Sequence, residues 1–453
     1  MSKFRGRLAG SLFATDLLRI GAPIALQNLV SASANMLSAI MVGRLGAVSL
    51  AAVGLGNEIY FLLFLLLFGI STGGGVFTAQ FWGKGDLQGV RRTVGLSLAL
   101  GLASALLFAA AAAAAPAFLL RLYTADPEVI ALGARFLRIS SLSFVPVALS
   151  AVLGLSMRSV EKVRLPLVAT AVSLALNLLL AWALIFGRLG LPALGVDGAA
   201  WAAVAARALE AAILAIGAWT RRYPIAGSIR ELTDWSRVWV LRFLGVASPV
   251  ILNEVTWSLG ITAYSAFFAR SGTEAVAAYN VTRSVSQMAM VVFFGTGNAA
   301  AVMIGKKIGE GNLEAAYSYA RRFSVIAPIL GVAVAAVILP FRAALPWLYR
   351  LDAAVLSQAG AMLLVLAATY PFKVFNFHLI VGICRAGGDT RFGMYYDLFG
   401  VWGVGLPLAA AAAFLWGLPA WAIYLMTTLD DVAKASVGVW RLMSRKWLRD
   451  VTG

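Results

Sequence analysis

Eight ionisable side chains interrupt long apolar runs in this chain: Glu58, Arg207, Glu210, Glu254, Arg283, Lys373, His378 and Asp397. An ionisable group held away from water costs several kcal/mol, so each calls for a partner or a task. Glu254 is the strongest candidate. It lies about ten residues past Arg242, roughly 15 Å along a helix and close to the middle of a bilayer. Asn253 precedes it and Thr256 and Trp257 follow. Desolvation disfavours a carboxylate anion, which suits such a group to carrying a proton. With oxygens from Asn253, Thr256 or backbone carbonyls it could instead help to hold Na+. The plain alternative is an internal ion pair with a purely structural task.

The remaining groups admit simpler readings. Arg207 and Glu210 stand i, i+3 and should pair on one helix face. Tyr370, Lys373 and Phe377 stand i, i+3 and i+7 and share a face; Lys373 can seek a carboxylate or snorkel toward carbonyls and the interface. His378, the single histidine, invites a proton relay, although ordinary packing is the commoner fate of a lone histidine. Glu58 and Arg283 fall near equivalent places in two halves of the chain and can line a cavity or pair structurally. Asp397 follows Tyr395 and Tyr396 close to Arg391 and reads as structural. Trp257, Tyr279, Phe294, Tyr370 and Phe377 could offer aromatic faces to cationic ligands. Enzyme chemistry finds no support: no nucleotide-binding loop, no cluster of His and Cys for a metal, and no second histidine for a triad. The glycine-rich GKGDLQG and GEGN segments read as tight turns. Energy must then come from an ion gradient or from a partner, with no bound cofactor expected.

The elements that hold these residues follow from composition. Of 453 residues, 61% are hydrophobic and 13% charged, against about 25% charged in soluble domains. Lipid accommodates such a surface, and helices satisfy their own backbone there. Reading for apolar runs of about 20 residues predicts spans at 18–42, 50–79, 94–119, 131–156, 164–187, 196–219, 240–268, 276–304, 323–348, 354–383, 392–416 and 419–442. The third includes an alanine run, 109–115, ahead of Pro116, suited to close helix packing. No cleavable leader is evident at the basic N-terminus, and the single cysteine, Cys384, leaves no internal disulfide.

The net charge of +17 reflects topology and anionic lipid rather than nucleic acid. Basic residues crowd the N-terminus (Lys3, Arg5, Arg7), alternate loops (Lys84, Arg91, Arg92; Arg158, Lys162, Arg164; Arg221 to Arg237; Lys306, Lys307, Arg321, Arg322; Arg385, Arg391) and the C-terminus (Arg445, Lys446, Arg449). The opposite loops hold only Arg44, Arg121, Arg188, Arg270, Arg342 and Arg350. Both termini are therefore expected in the cytoplasm. The polar stretch 220–238 reads as a cytoplasmic linker between an N-terminal lobe, 1–219, and a C-terminal lobe, 239–453. These lobes repeat: Pro23 and Pro249 stand 226 residues apart (249 − 23), and the same ungapped register pairs Arg44/Arg270, Gly46/Gly272, Gly69/Gly295, Gly83/Gly309 and Gly85/Gly311. Parallel six-helix repeats suit alternating access.

The segments GAPIALQNLV, IMVGRLG, LAAVGLGNEI and NLLLAWALIFG, then SPVILNEVTWSLG, GTEAVAAYN, GNAAAVMIGKKIGEGN and GICRAGGDTRF, in this order across nearly the whole chain, resemble the multidrug and toxic compound extrusion (MATE) family. The resemblance implies an all-α integral membrane protein with twelve transmembrane helices in two pseudo-symmetric six-helix lobes around a central cleft. It also implies cation-coupled export of amphiphilic, often cationic, compounds. An acidic residue on the seventh helix of the family serves coupling, which points to Glu254 with Asn253 and Tyr370. This chain departs from the family elsewhere. Ser38 replaces an aspartate on the first helix, and Asn177 is kept on the fifth while Ala181 replaces its acidic companion, so an N-lobe site reduces to Ser38 and Asn177. On the tenth helix Tyr370 is kept but Val374 replaces an aspartate. One carboxylate is a poor Na+ site, which tilts the expectation toward H+. If the tenth helix faces the seventh, as in the family, Lys373 can pair with Glu254.

The sequence thus predicts a monomeric, multi-pass antiporter of the bacterial cytoplasmic (inner) membrane, driven by an H+ gradient or alternatively Na+, with small-molecule substrates and the lipid bilayer as partners. Trp257, Tyr279, Phe294 and Phe377 are its expected cavity residues, and Lys373, His378, Arg283 and Glu58 its candidate ion-pair or coupling partners. A flippase for lipid or lipid-linked oligosaccharide is the alternative.

Overall fold

The computed structural model describes residues 2–348 and 351–453. Arg350 and the side chains of Lys3, Arg5 and Arg7 fall outside the described set. Twelve long helices follow one another in this set: α1 Ser2–Gly43, α2 Ala47–Lys84, α3 Leu87–Ala114, α4 Pro127–Ser159, α5 Arg164–Phe186, α6 Val196–Thr220, α7 Arg237–Arg270, α8 Thr273–Gly309, α9 Leu313–Leu348, α10 Ala353–Cys384, α11 Thr390–Leu415 and α12 Ala420–Met443. Eleven are long and apolar enough to cross a membrane. α12 has the length, 24 residues, but carries Asp430, Asp431 and Lys434 at its midpoint.

Local chemistry explains the boundaries. Asp86 caps α3 by accepting from Gly89 N at 2.8 Å, and Asn312 does the same for α9 with Ala315 N at 3.0 Å. The preceding residues, Gly85 and Gly311, adopt φ +75° and +74°, and Gly46 and Gly272 adopt +107° and +111°. Side chains other than hydrogen strongly resist such values, so the repeat keeps glycine where the backbone demands it. GKGDLQG and GEGN are these turns. α3 stops at Ala114 because Pro116 forces its predecessor out of helix; a short helix, Pro116–Arg121, follows. The third span therefore ends five residues earlier than predicted, although the helix as a whole runs 28 residues. Of the alanine run only Ala112 is fully buried, so the run does not form the close packing surface expected of it.

The chain divides into two compact units, Leu26–Ala247, and Met1–Ala25 with Ser248–Gly453. The cuts fall inside α1 and α7, not in the linker. In the first unit, Ile59, Leu63 and Leu67 of α2 pack with Ala105 of α3 and Leu137, Phe144 and Ala148 of α4. The 221–236 segment belongs to this unit. Its short helix, Ile229–Leu232, starts in a capping box between Ser228 and Glu231. Arg91 pairs with Glu231, Gln88 donates to Asp234 at 2.8 Å, and a Cβ on Gly95 would lie 1.8 Å from Leu232 O. The linker is thus a docked element.

In the second unit the core gathers Phe268, Tyr279, Phe293, Met362, Leu366 and Tyr370, among others, with Phe268 and Tyr279 stacked at 4.3 Å. Phe13 meets Tyr319 and Phe323 edge-on at 5.2 and 5.1 Å, which seats the start of α1 here. Val325, Ile329, Val332 and Val337 of α9 remain exposed, an apolar stripe that suits lipid rather than water.

Two helices are wound loosely where it matters. α10 ends in a π-helical turn, His378–Cys384, and α11 contains another, Phe399–Gly405. Arg385 N bonds to Ile380 O at 3.1 Å, five residues back. Such turns shift the register of following side chains and recur at functional sites.

Candidate functional site

Glu254 stands on α7 with its Oε1 accepting from Arg385 Nη2 at 2.6 Å. Arg385 leaves the π-helical end of α10 and points back inward; its side chain is 6% exposed and that of Glu254 14%. The burial cost of the carboxylate is therefore met by a guanidinium. The sequence offers Lys373 as a partner for Glu254, or as a snorkelling residue; the structure gives Glu254 to Arg385, which follows the last residue of α10. Lys373 carries no ion pair among the described residues.

Next to this pair lies a denser group that the sequence reading did not weigh. Asn253 donates from Nδ2 to Asp397 Oδ2 of α11 at 3.1 Å. Asp397 Oδ1 meets Lys434 Nζ of α12 at 3.3 Å, and the same Nζ lies 3.2 Å from Asp430 Oδ2 and 3.6 Å from Asp431 Oδ1. Asn376 of α10 donates to Asp431 Oδ1 at 3.0 Å and accepts from Tyr396 Oη at 2.8 Å. The Lys434 stem passes over Gly400, where a Cβ would lie 2.3 Å from its Cδ. Asp397, taken as structural near a helix end, is thus the hinge between Asn253 and this cluster. The available signal was the Asp430, Asp431, Lys434 spacing, i, i+1 and i+4, in the middle of an apolar run.

A related but less acidic network lies in the other unit. Arg158, at the end of α4, donates to Gln27 Oε1 at 2.7 Å; Gln27 Nε2 donates to Thr170 Oγ1 at 2.7 Å, and Thr170 donates to Glu210 Oε1 at 2.6 Å. The i, i+3 pair forms as its spacing suggests, with Arg207 Nη1 at 2.9 Å from Glu210 Oε2. Gln27 and Asn253 stand in the repeat register (253 − 27 = 226), and Arg158 and Arg385 stand one residue off it (385 − 158 = 227). Each unit therefore turns a basic residue inward from its fourth helix onto its first. Ser38 and Asn177 are brought together, with Ser38 Oγ donating to Asn177 Oδ1 at 3.4 Å.

The other predicted residues are placed as follows. Tyr370 is fully buried, packs edge-on against Phe293 at 5.8 Å, and has no partner for its hydroxyl, so no hydrogen bond joins it to Asn253 or Glu254. Both nitrogens of His378 are engaged. Val374 O can only accept, at 2.9 Å from Nδ1, so Nδ1 carries a proton, and in the neutral ring Nε2 accepts from Thr296 Oγ1 at 2.9 Å. Glu58 and Arg283 are exposed without an ion pair among the described residues. Phe294 and Phe377 are half-buried and meet at 4.7 Å. Trp257 is exposed, whereas Tyr279 is buried in the core and offers no free face.

A hard cation needs several oxygen ligands. The polar neighbour bonded to Glu254 is a guanidinium donor, and Asn253 gives its amide N–H to Asp397 while its Oδ1 stays buried without a partner. A separate cavity of about 620 Å³ lies among Phe13, Tyr317, Arg321 and Arg445 and contains none of these groups.

A family model described as MatE matches residues 23–183 and 249–411, two stretches that open at the paired prolines Pro23 and Pro249. The chain is 30% identical over 438 residues, 94% of its length and 92% of the relative's, to a protein of Rhizobium meliloti named probable multidrug resistance protein NorM. It is 28% identical over 406 residues to the multidrug resistance protein PmpM of Pseudomonas aeruginosa, covering 87% of this chain and 82% of that one. Among solved structures, one described as MATE in the bent conformation superimposes with a TM-score of 0.87 at 19% identity, over 96% of this chain and 95% of that one. Another, MATE in complex with MaL6, gives 0.86 at 20% identity over 95% and 96%. With the duplicated halves, the helix order and the match over most of its length all agreeing, the chain belongs to the MatE family of membrane transporters.

Proposed function

We propose that this protein is a proton-coupled antiporter that exports amphiphilic, often cationic, small molecules across the bacterial inner membrane by alternating access. The observation that carries the reading is the network of titratable groups on α7, α10, α11 and α12. Glu254, Asp397, Asp430 and Asp431 lie within apolar helices and are bridged by Arg385 and Lys434. Charges at that depth are expensive, and in transporters they mark ion pathways. The names of the relatives, multidrug resistance proteins, support the substrate class.

Glu254 serves the coupling. Its pair with Arg385 spans two helices 131 residues apart in sequence, so a rearrangement of the unit makes or breaks it. Trp257, Phe294 and Phe377 offer aromatic faces to a cationic substrate. The distribution of Lys and Arg places both termini in the cytoplasm, and the protein works as a monomer.

The test is efflux of a cationic dye from proteoliposomes with imposed proton and sodium gradients in turn. A proton gradient should drive wild-type efflux, a sodium gradient should not, and Glu254→Gln should lose the coupled flux while staying folded. Full proton-driven efflux by Glu254→Gln would remove the role given to Glu254. Movement of lipid-linked glycan without dye export would favour a flippase.

A further inference from the structure

Glu254 and Arg385 cancel one another, but their neighbours do not cancel. Three carboxylates, Asp397, Asp430 and Asp431, share the single ammonium of Lys434 at 3.3, 3.2 and 3.6 Å. Fully ionised, that group would carry two uncompensated negative charges. The Lys434, Asp430, Asp431 and Asp397 side chains are 6%, 7%, 16% and 18% exposed. Uncompensated charges so placed cost several kcal/mol each, and carboxylates that share a site do not all ionise.

The donors around each carboxylate decide which one is short of support. Asp397 has the Asn253 amide as well as Lys434. Asp431 has the Asn376 amide as well as Lys434. For Asp430 the only polar partner among the described residues is Lys434. A second observation points the same way. The Tyr264 hydroxyl is buried without a partner. It lies next to Asp430: a Cβ on Gly405 would be 2.1 Å from Tyr264 Oη and 3.6 Å from Asp430 Cβ. A proton on Asp430 would have an acceptor within reach in that phenol oxygen, which can also donate. Asn253 Oδ1 is likewise buried and unpartnered beside Asp397.

We propose that the coupling proton of this transporter is held on Asp430, in the cluster Asp397–Asp430–Asp431–Lys434, and is shared with Tyr264. The inference rests on the antiporter reading above and names the seat of its ion. A proton rather than Na+ is the ion because the Lys434 ammonium already occupies the position between the carboxylates that a metal cation would need. Glu254 and Arg385 act on the cluster through Asn253 and Asp397, as positioning residues. The other titratable groups facing it are Tyr396, whose hydroxyl donates to Asn376 or to Lys434 O, the buried thiol of Cys384, and Tyr424 of α12, which meets Tyr279 of α8 at 6.2 Å. The substrate cation is expected to displace the proton as the lobes reorient, so a proton leaves for each charge gained and no covalent bond other than O–H changes.

Infrared difference spectroscopy of the reconstituted full-length protein, between neutral and alkaline pH, reads the proton directly and needs no transported substrate. Wild type should show a protonated-carboxyl band that Asp430→Asn removes and Glu254→Gln retains. Tyr264→Phe, which leaves the carboxyls in place, should shift the frequency of the band, because it removes the nearest phenol oxygen. In the efflux assay Asp430→Asn should lose the proton-driven component. Absence of the band in wild type, its survival in Asp430→Asn, or a band that responds to NaCl and not to pH would each overturn the assignment. A band that behaves as expected without efflux of any dye would sink the antiporter reading and leave the proton site standing. Proton-driven efflux that persists in Asp430→Asn would do the reverse.

Discussion

Replacing Arg385 by methionine should destabilise the C-terminal half well beyond the loss of a surface ion pair. The Arg385–Glu254 pair is short, 2.6 Å, with side chains 6% and 14% exposed. It therefore ranks with buried pairs and not with surface pairs, which contribute about 0–1 kcal/mol. Removing one member of a buried pair strands the other and costs about 3–5 kcal/mol; since Glu254 keeps some access to solvent, the low end, about 3 kcal/mol, is expected. The double variant Arg385→Met with Glu254→Gln leaves no stranded charge, so it should be more stable than the sum of the two single losses predicts, by about 2 kcal/mol. Arg158→Met supplies the comparison from the other half. Its partner there is the neutral amide of Gln27, and Glu210 keeps Arg207, so the loss should be about 2 kcal/mol with no large coupling. Reversible unfolding in mixed detergent micelles, followed by circular dichroism, measures all four. An Arg385→Met variant within about 1 kcal/mol of wild type, the surface-pair range, or strictly additive losses in the cycle would refute the claim that this pair is buried and mutually dependent.

Two further outcomes concern the docked linker. Gly95→Ala places a methyl carbon against the backbone oxygen of Leu232, 1.8 Å away; such overpacking costs about 1–3 kcal/mol and should expose 221–236 to protease, whereas unchanged cleavage would mean that the segment is not seated on α3. The Glu231 carboxyl is held below the ordinary glutamate range, first by the backbone N–H of Ser228, then by its hydroxyl and by Arg91. A lowered carboxyl contributes above its unfolded value and is lost as pH falls through its lowered folded value. Hydrogen-exchange protection of 229–232 should thus hold from neutral pH down through the usual glutamate range and fail only below it; loss already near neutrality would contradict the capping box as its anchor.

What could be read from the residues in order is whatever depends on local spacing. Apolar runs of span length, glycines at Gly46, Gly85, Gly272 and Gly311, the paired prolines Pro23 and Pro249 and the 226-residue repeat all survive translation into structure, because helix length and turn conformation are decided within a few residues. Arg207 and Glu210 meet for the same reason. The choice of partner for a charge on one helix is not local. Glu254 takes Arg385, which follows a π-helical turn at 378–384, and leaves Lys373 aside, and nothing in the spacing of Tyr370, Lys373 and Phe377 announces that choice. Asp430, Asp431 and Lys434 already lack one positive charge along α12; only the arrival of Asp397 from α11 makes the shortfall two, and only the fold sets the Tyr264 hydroxyl of α7 beside them. Burial by lipid is a sum over residues that a sequence displays, whereas electrostatic balance depends on distances of a few ångströms between helices that only the tertiary structure brings together.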